Sequence, residues 1–274
     1  MLLCCFNLNT FMLLALDIGN TNIVAGVYDG KRLAAQWRLA TRRDLTADEL
    51  AVFLKVAFDA GEIHFADVSG VVISSVVPSL TSQAKQLATT YLKCEPVVVG
   101  PKIDIGLKNK YEPPEAVGAD RLVNGLAAWT KYGTAVVAVD FGTGTTVDAV
   151  SQDGHYLGGA IAPGIQIAAD ALFSAAARLT RVELVAPPCA LGRNQTASVQ
   201  SGLVYGYAGL VKELIGRCTD EVRVLGNDQI TTVATGGLAE IVAPLVPAIQ
   251  HVEPHLTLEG LRLIWERVQG KTAE

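Results

Sequence analysis

No two cysteines in this chain are spaced as Cys-x-x-Cys. The five present, Cys4, Cys5, Cys94, Cys189 and Cys218, are odd in number and scattered, which argues against a disulfide framework or a zinc site and fits a reducing cytoplasm. A basic excess is missing too. With a net charge of -5 and a pI near 5.4, there is no electrostatic footprint for nucleic acid or an anionic membrane. Of only four histidines, His251 and His255 lie close together in HVEPH. The proline between them spoils a helical pairing and no cysteine is near, so they read as surface histidines. Charged residues make up 18% of the chain and apolar ones 50%, a globular composition whose expected partner is a small molecule. The 274 residues suffice for two ordinary cores.

An export signal is also lacking. The opening MLLCCFNLNTFMLLALD is apolar but carries no Lys or Arg, has Asn7, Asn9 and Thr10 in its middle, and meets Asp17 before about 18 apolar residues accumulate. Neither a signal peptide nor a spanning helix fits. Residues 1–11 are read as an extension, and the fold is expected to begin at Met12.

Two familiar nucleotide motifs are absent. No G-x-x-x-x-G-K-[ST] occurs, and GTGTTV (142–147) lacks the third glycine of G-x-G-x-x-G. What the chain has instead is an internal repeat. LLALDIGNTNIVAGV (13–27) aligns with VVAVDFGTGTTVDAV (136–150) at a constant offset, matching Ala15 to Ala138, Asp17 to Asp140, Gly19 to Gly142, Val24 to Val147 and Val27 to Val150. Each copy runs into an Asp-Gly turn, Asp29-Gly30 or Asp153-Gly154, and then a further strand-like segment. That is the pattern of a three-stranded antiparallel meander.

TADELAVFLKVAFDAG (46–61) opens with a capping box, Thr46 to Glu49, and continues with helical spacing. A strand is expected at 70–77, a helix at 79–93 and a strand at 96–100. After the second meander come helices near 165–177 and 197–217, the strand 230–235 and further helices. One α/β unit is thus used twice, with the boundary near 125–134. The domains expected are 12–130 and 131–274.

A single D-x-G-x-x is explained by an ordinary hairpin turn. Two at constant offset point to a pair of opposed turns gripping the phosphate chain of one nucleotide. Gly19 and Gly142 let the backbone bend, the Asn, Thr and Gly residues that follow supply donors, and Asp17 and Asp140 at strand ends suit a cation or its bound water. Each turn leads into a strand, whereas dinucleotide and P-loop motifs open a helix. In TTVATGGLAEIV (231–242), Gly236 and Gly237 would let an adenine ring lie against the backbone. Two phosphate hairpins and a Gly-Gly loop resemble the actin, sugar-kinase and Hsp70 superfamily. That resemblance implies two ribonuclease-H-like domains facing across a nucleotide cleft.

NKYEPPEAVGADRLVNGLAAW (109–129) turns from polar and proline-rich to helical, with Asp120 at or near a helix N-terminus, where a bare capping role is the simplest reading. The string Y-x-x-P-x-x-V-G-A-D-R (Tyr111 to Arg121), with DIGNTN, DFGTGTT and GGAIAPG (158–164), resembles type III pantothenate kinase from about Met12 to the C-terminal helix. The resemblance implies transfer of a phosphoryl group from ATP to pantothenate, with Mg²⁺ and a monovalent cation, K⁺ or NH₄⁺, in a cytoplasmic homodimer. It places Asp17, Ile18, Gly19, Asn20, Thr21, Asn22, Ile23, Val24 and Thr143 at ATP. Tyr111, Gly118, Ala119, Asp120, Arg121 and Thr196 fall at pantothenate, Asp120 is the general base, and Asp140 holds the monovalent cation. One departure stands out: the family pattern G-R-N-T-x-x-S here reads GRNQTAS (192–198), so Gln195 occupies the threonine position and Thr196 comes one place late. An inactive regulator acting through protein partners, or a kinase for another polyol, would also carry the two turns.

Overall fold

The computed structural model describes residues 12–270. The extension proposed at 1–11, with Cys4 and Cys5, lies outside them. By contacts the chain divides into two units. The first takes the residues up to Ile105, Gly118–Val123 and the stretch from Thr257; the second takes Gly106–Val117 and Asn124–Leu256.

In the first unit β1 (Met12–Ile18), β2 (Asn22–Asp29) and β3 (Arg32–Ala40) form the expected meander, turning at Gly19 and at Gly30, whose φ of 59° is a left-handed conformation that glycine tolerates. Helix α1 (Ala47–Ala60) follows. Its capping box is real: Thr46 accepts from the Glu49 amide while Glu49 accepts from Thr46, and these bonds with Arg42 bring the Glu49 carboxyl down to about 2. Strand β4 (Val68–Ser75) then pairs in parallel with β1. Pro78 takes the first position of α2 (Pro78–Leu87), where its missing N–H costs nothing. The helix expected to reach 93 changes at Ala88–Leu92 into a wider turn that ends at Lys93 in the left-handed region. Only β5 (Val97–Val98) of the expected 96–100 strand pairs with β4. The sheet order is β3-β2-β1-β4-β5, and Leu14, Leu16, Ile73, Leu54 and Phe58 lie in its core.

The short strand β6 (Lys108–Asn109) leads to α3 (Ala119–Tyr132), a helix whose first residues belong to the first unit and the rest to the second. The second meander follows as β7 (Ala135–Phe141), β8 (Gly144–Val150) and β9 (His155–Pro163). Helix α4 (Ile165–Ala175) comes next. Helix α5 (Gln195–Val224) has 30 residues, beginning earlier than expected because Asn194 caps the Ala197 amide and ending later because Val222 remains on the buried face. Strand β10 (Ile230–Thr235) matches the sequence; α6 (Ala239–Val242) is a single turn, and β11 (His251–Val252) closes the sheet. Its order is β11-β10-β7-β8-β9-β6. Apart from the added β6, this repeats the first sheet: a meander whose first strand pairs in parallel with the fourth, and the fourth with the fifth. β7 begins and ends at the same sequence offset from β1 that the repeat has.

The last described helix, α7 (Leu256–Val268), is largely part of the first unit. A Cβ on Gly26 would lie 2.7 Å from Leu258, one on Gly70 2.7 Å from the Trp265 ring, and one on Gly260 2.4 Å from the carbonyl oxygen of Val123 in α3. Glycines on β2 and β4 are therefore the sockets into which α7 seats, and its own glycine lets it touch α3 at Val123, just past that helix's first turn. Buried Arg262 is paired with Glu266 at 2.6 Å and with Glu259, which also accepts from the Tyr28 hydroxyl at 3.3 Å. Among the described residues no helix is long and apolar enough to cross a membrane.

Candidate active site

The first turn joins Ile18 to Ile23, which pair across the hairpin with both side chains in the core. Whatever those two residues offer a ligand is main chain. Gly19 N–H donates to Asn22 O at 2.9 Å, Asn20 and Thr21 are exposed, and Asp17 and Val24 pair half-buried across the strands. Two further bonds hold the turn: Thr41 Oγ1 donates to Gly19 O at 2.7 Å and Thr41 N–H to Thr21 O at 2.9 Å. Carbonyls repel phosphate oxygens. Thr41 engages two of them.

The second turn is held in the same way. Gly164 N–H donates to Thr143 O at 3.2 Å, and a Cβ on Gly164 would lie 2.2 Å from that oxygen. Thr41 and Gly164 each follow the third strand of their meander, at the same offset as the repeat. The GGAIAPG segment thus owes its last glycine to this contact, and its second to β8, since a Cβ on Gly159 would lie 1.9 Å from Val147 O. Sequence reasoning missed Thr41. The signal was available, because the repeat extended through the third strand aligns it with Gly164.

Both strand-end aspartates neighbour a buried hydroxyl that lacks a protein partner. Asp17 is in register with Ser74 on β4 and Asp140 with Thr146 on β8; Ser74 Oγ and Thr146 Oγ1 are both unsatisfied. Such a group costs about 1–3 kcal/mol if nothing bonds it. A hydrated cation or a phosphate oxygen beside each carboxylate would satisfy it, and a carboxylate with hydroxyls is a donor set for hard cations. Gly236, at φ 94°, keeps further room at Asp140, where a Cβ would lie 2.6 Å from Oδ1 and 2.7 Å from Phe141 N. This glycine serves the end of β7. Asn124, 2% exposed, donates from Nδ2 to Asp140 Oδ2 at 3.0 Å.

Next to the second turn, Thr145 is fully buried and bonded to the Tyr207 hydroxyl. Burial raises the Tyr207 phenol above its ordinary value, so it stays neutral.

The segment from Asn109 to Arg121 is tied down locally. Asn109 accepts from Tyr111 N–H at 2.9 Å and donates to Pro114 O at 2.9 Å; the Tyr111 ring lies 6.3 Å from that of Tyr156 and beside Gly158. Asp120 and Arg121 occupy the first turn of α3, as the sequence suggested. Asp120 Oδ1 accepts from the Arg121 amide at 2.9 Å, and a Cβ on Gly118 would lie 2.5 Å from it, so glycine is what leaves room for the carboxylate. Ala119 opens the helix, and Arg121 is 5% exposed. In GRNQTAS, Gln195 Nε2 donates to Arg178 O at 2.7 Å, while Thr196 is exposed. Tyr111 lies in the second unit with Asp140 and Thr143, and Gly118 to Arg121 lie in the first with the Asp17 turn.

The model of the family described as type III pantothenate kinase matches residues 13–217. A type III pantothenate kinase of Thermomicrobium roseum is 52% identical over 257 residues, 94% of this chain and 98% of that protein. One of Moorella thermoacetica is 48% identical over 256 residues, 93% of this chain and 99% of that protein. Among solved structures, a ROK family glucokinase from Streptomyces griseus, in complex with glucose and AMPPNP, aligns with a TM-score of 0.52 at 14% identity, covering 93% of this chain and 98% of that one. That likeness shows the fold, the α/β architecture of the actin-like sugar kinases. With three quarters of its length matched by the family model and relatives near 50% identity over almost its whole length, the chain belongs to the type III pantothenate kinase family.

Proposed function

We propose that this protein phosphorylates pantothenate with ATP, giving 4′-phosphopantothenate, the first step of coenzyme A synthesis. The observation that carries the reading is the glycine-made space at Gly118 holding the Asp120 carboxylate in the first turn of α3, in a member of this family. The primary hydroxyl of pantothenate attacks the γ-phosphorus as the bond to the ADP oxygen breaks, and the hydroxyl proton passes to Asp120. ADP departs. Such transfers depend mostly on positioning and charge. Asp17 to Val24, chiefly through the main chain of the turn, and Thr143 hold ATP. Tyr111, Gly118, Ala119 and Arg121 hold pantothenate, Arg121 pairing with its carboxylate. Thr196 completes that set, since the Gln195 amide is engaged by Arg178 O. When bound, Mg²⁺ and a monovalent cation at Asp140, potassium or ammonium, supply positive charge against the phosphate oxygens. Exposed Ile161, Ile167 and Leu191 offer apolar surface that a second copy would cover, in keeping with a homodimer, and the scattered spacing of the cysteines is in keeping with the cytoplasm.

The test is ADP release in sodium buffer, with pantothenate or a panel of sugars and polyols, with and without potassium. Release is expected with pantothenate alone among the acceptors and should rise steeply with potassium. Full turnover without potassium or ammonium would remove the cation from the reading, and turnover of a sugar but not pantothenate would remove the substrate.

A further inference from the structure

Asn124 lies one helical turn beyond Asp120 on α3, on the part of the helix that packs against the second sheet. The approach there is close: a Cβ on Gly125 would lie 3.0 Å from Val150. This brings the Asn124 amide to Asp140 Oδ2 at 3.0 Å, with the side chain 2% exposed. A carboxylate at a strand end can rotate about its last bond; a donor fixed to one oxygen sets the direction of the other. The other, Oδ1, faces Gly236, where a Cβ would lie only 2.6 Å away. The donor is a neutral amide. A lysine or arginine at this place would orient Asp140 but also neutralise it and compete with a bound cation, whereas an amide orients it and leaves its charge intact.

We infer that Asn124 is a positioning residue for the monovalent-cation site, acting through the Asp140 carboxylate. This rests on Asp140 being the cation's ligand, and the experiment separates the two. Asn124→Ala and Asn124→Ser, the second keeping a polar but shorter side chain in the buried position, are compared with Asp140→Asn and the parent. Two quantities are read: the potassium concentration for half-maximal activity, and the potassium-induced rise in melting temperature with ADP present and sodium as the reference ion. The second is readable even if a variant is less stable. Loss of an orienting partner of a metal ligand typically weakens binding on the order of 10- to 100-fold. Both Asn124 variants should raise the half-maximal potassium by at least about tenfold and shrink the thermal rise, with the KM for pantothenate at saturating potassium unchanged, while Asp140→Asn loses the potassium response. If Asp140→Asn loses it and both Asn124 variants keep the parent's potassium dependence, the inference is overturned and the Asp140 reading stands. If Asp140→Asn responds to potassium like the parent, the cation assignment fails and the inference with it.

Discussion

A carboxylate in the first turn of a helix is stabilised in its charged form by the peptide dipoles, whatever else it does. Asp120 accepts from a peptide N–H there, so its position alone fits capping as well as catalysis. Asn and Asp rank together as caps. Asp120→Asn should therefore leave the melting temperature nearly unchanged, while turnover falls by about 10²- to 10⁴-fold, the usual contribution of a general base. Calorimetric ATP affinity should hold. Turnover within a few-fold of the parent would leave Asp120 a cap, and collapse of ATP binding would move it to the nucleotide. Motifs with fixed spacing, the two D-x-G turns and G-A-D-R, were legible in the sequence because their geometry is local. Asn124 and Thr41 were not, since each matters through a partner 16 or 22 residues away.

Helix α7 touches the first unit at three glycines, and they are not equivalent. A methyl group on Gly70 meets the Trp265 ring, whereas one on Gly260 meets the Val123 carbonyl, three residues after Asp120 in the same helix. Gly260→Ala must push α3 and α7 apart, and such overpacking costs about 1–3 kcal/mol. Gly70→Ala should destabilise comparably, yet only Gly260→Ala should also raise the KM for pantothenate, because only it pushes on α3, at Val123 just past the turn that carries Asp120 and Arg121. Equal KM values for the two variants, against matched losses in melting temperature, would show that the α3 contact serves stability alone. Helices with a strong local code were easy to read: α1 has its capping box, and α2 has Pro78 at its start. The ends of α2 and α5 were not, since the turn at Ala88–Leu92 and the burial of Val222 depend on what packs beneath them.

At the scale of the whole chain, duplication was legible because the offset is constant across the first two strands of each copy. The assignment of α7 was not, because nothing local in LTLEGLRLIWERV says which sheet it covers. Leu258, Leu261, Ile264 and Trp265 are all buried, and each contributes about 1.5–3 kcal/mol. Together they rival the total stability of a typical domain, about 5–15 kcal/mol. A chain ended at residue 256 should accordingly lose hydrogen-exchange protection throughout β1, β2 and β4, while β7, β8 and β10 keep theirs; protection retained in β1 would show that the sheet holds without its last helix. The glycine sockets at Gly26 and Gly70 then set a timetable. On the ribosome the sheet that needs α7 emerges first, and the helix that fills it leaves roughly 150 residues later, about 8–30 s at ordinary elongation rates. Through that interval the sockets on β2 and β4 stand unfilled, so a nascent chain stalled before α7 should be held by an apolar-surface-binding chaperone more strongly than one stalled after α7 has emerged, and equal capture of the two would show that the first sheet hides its apolar face without that helix.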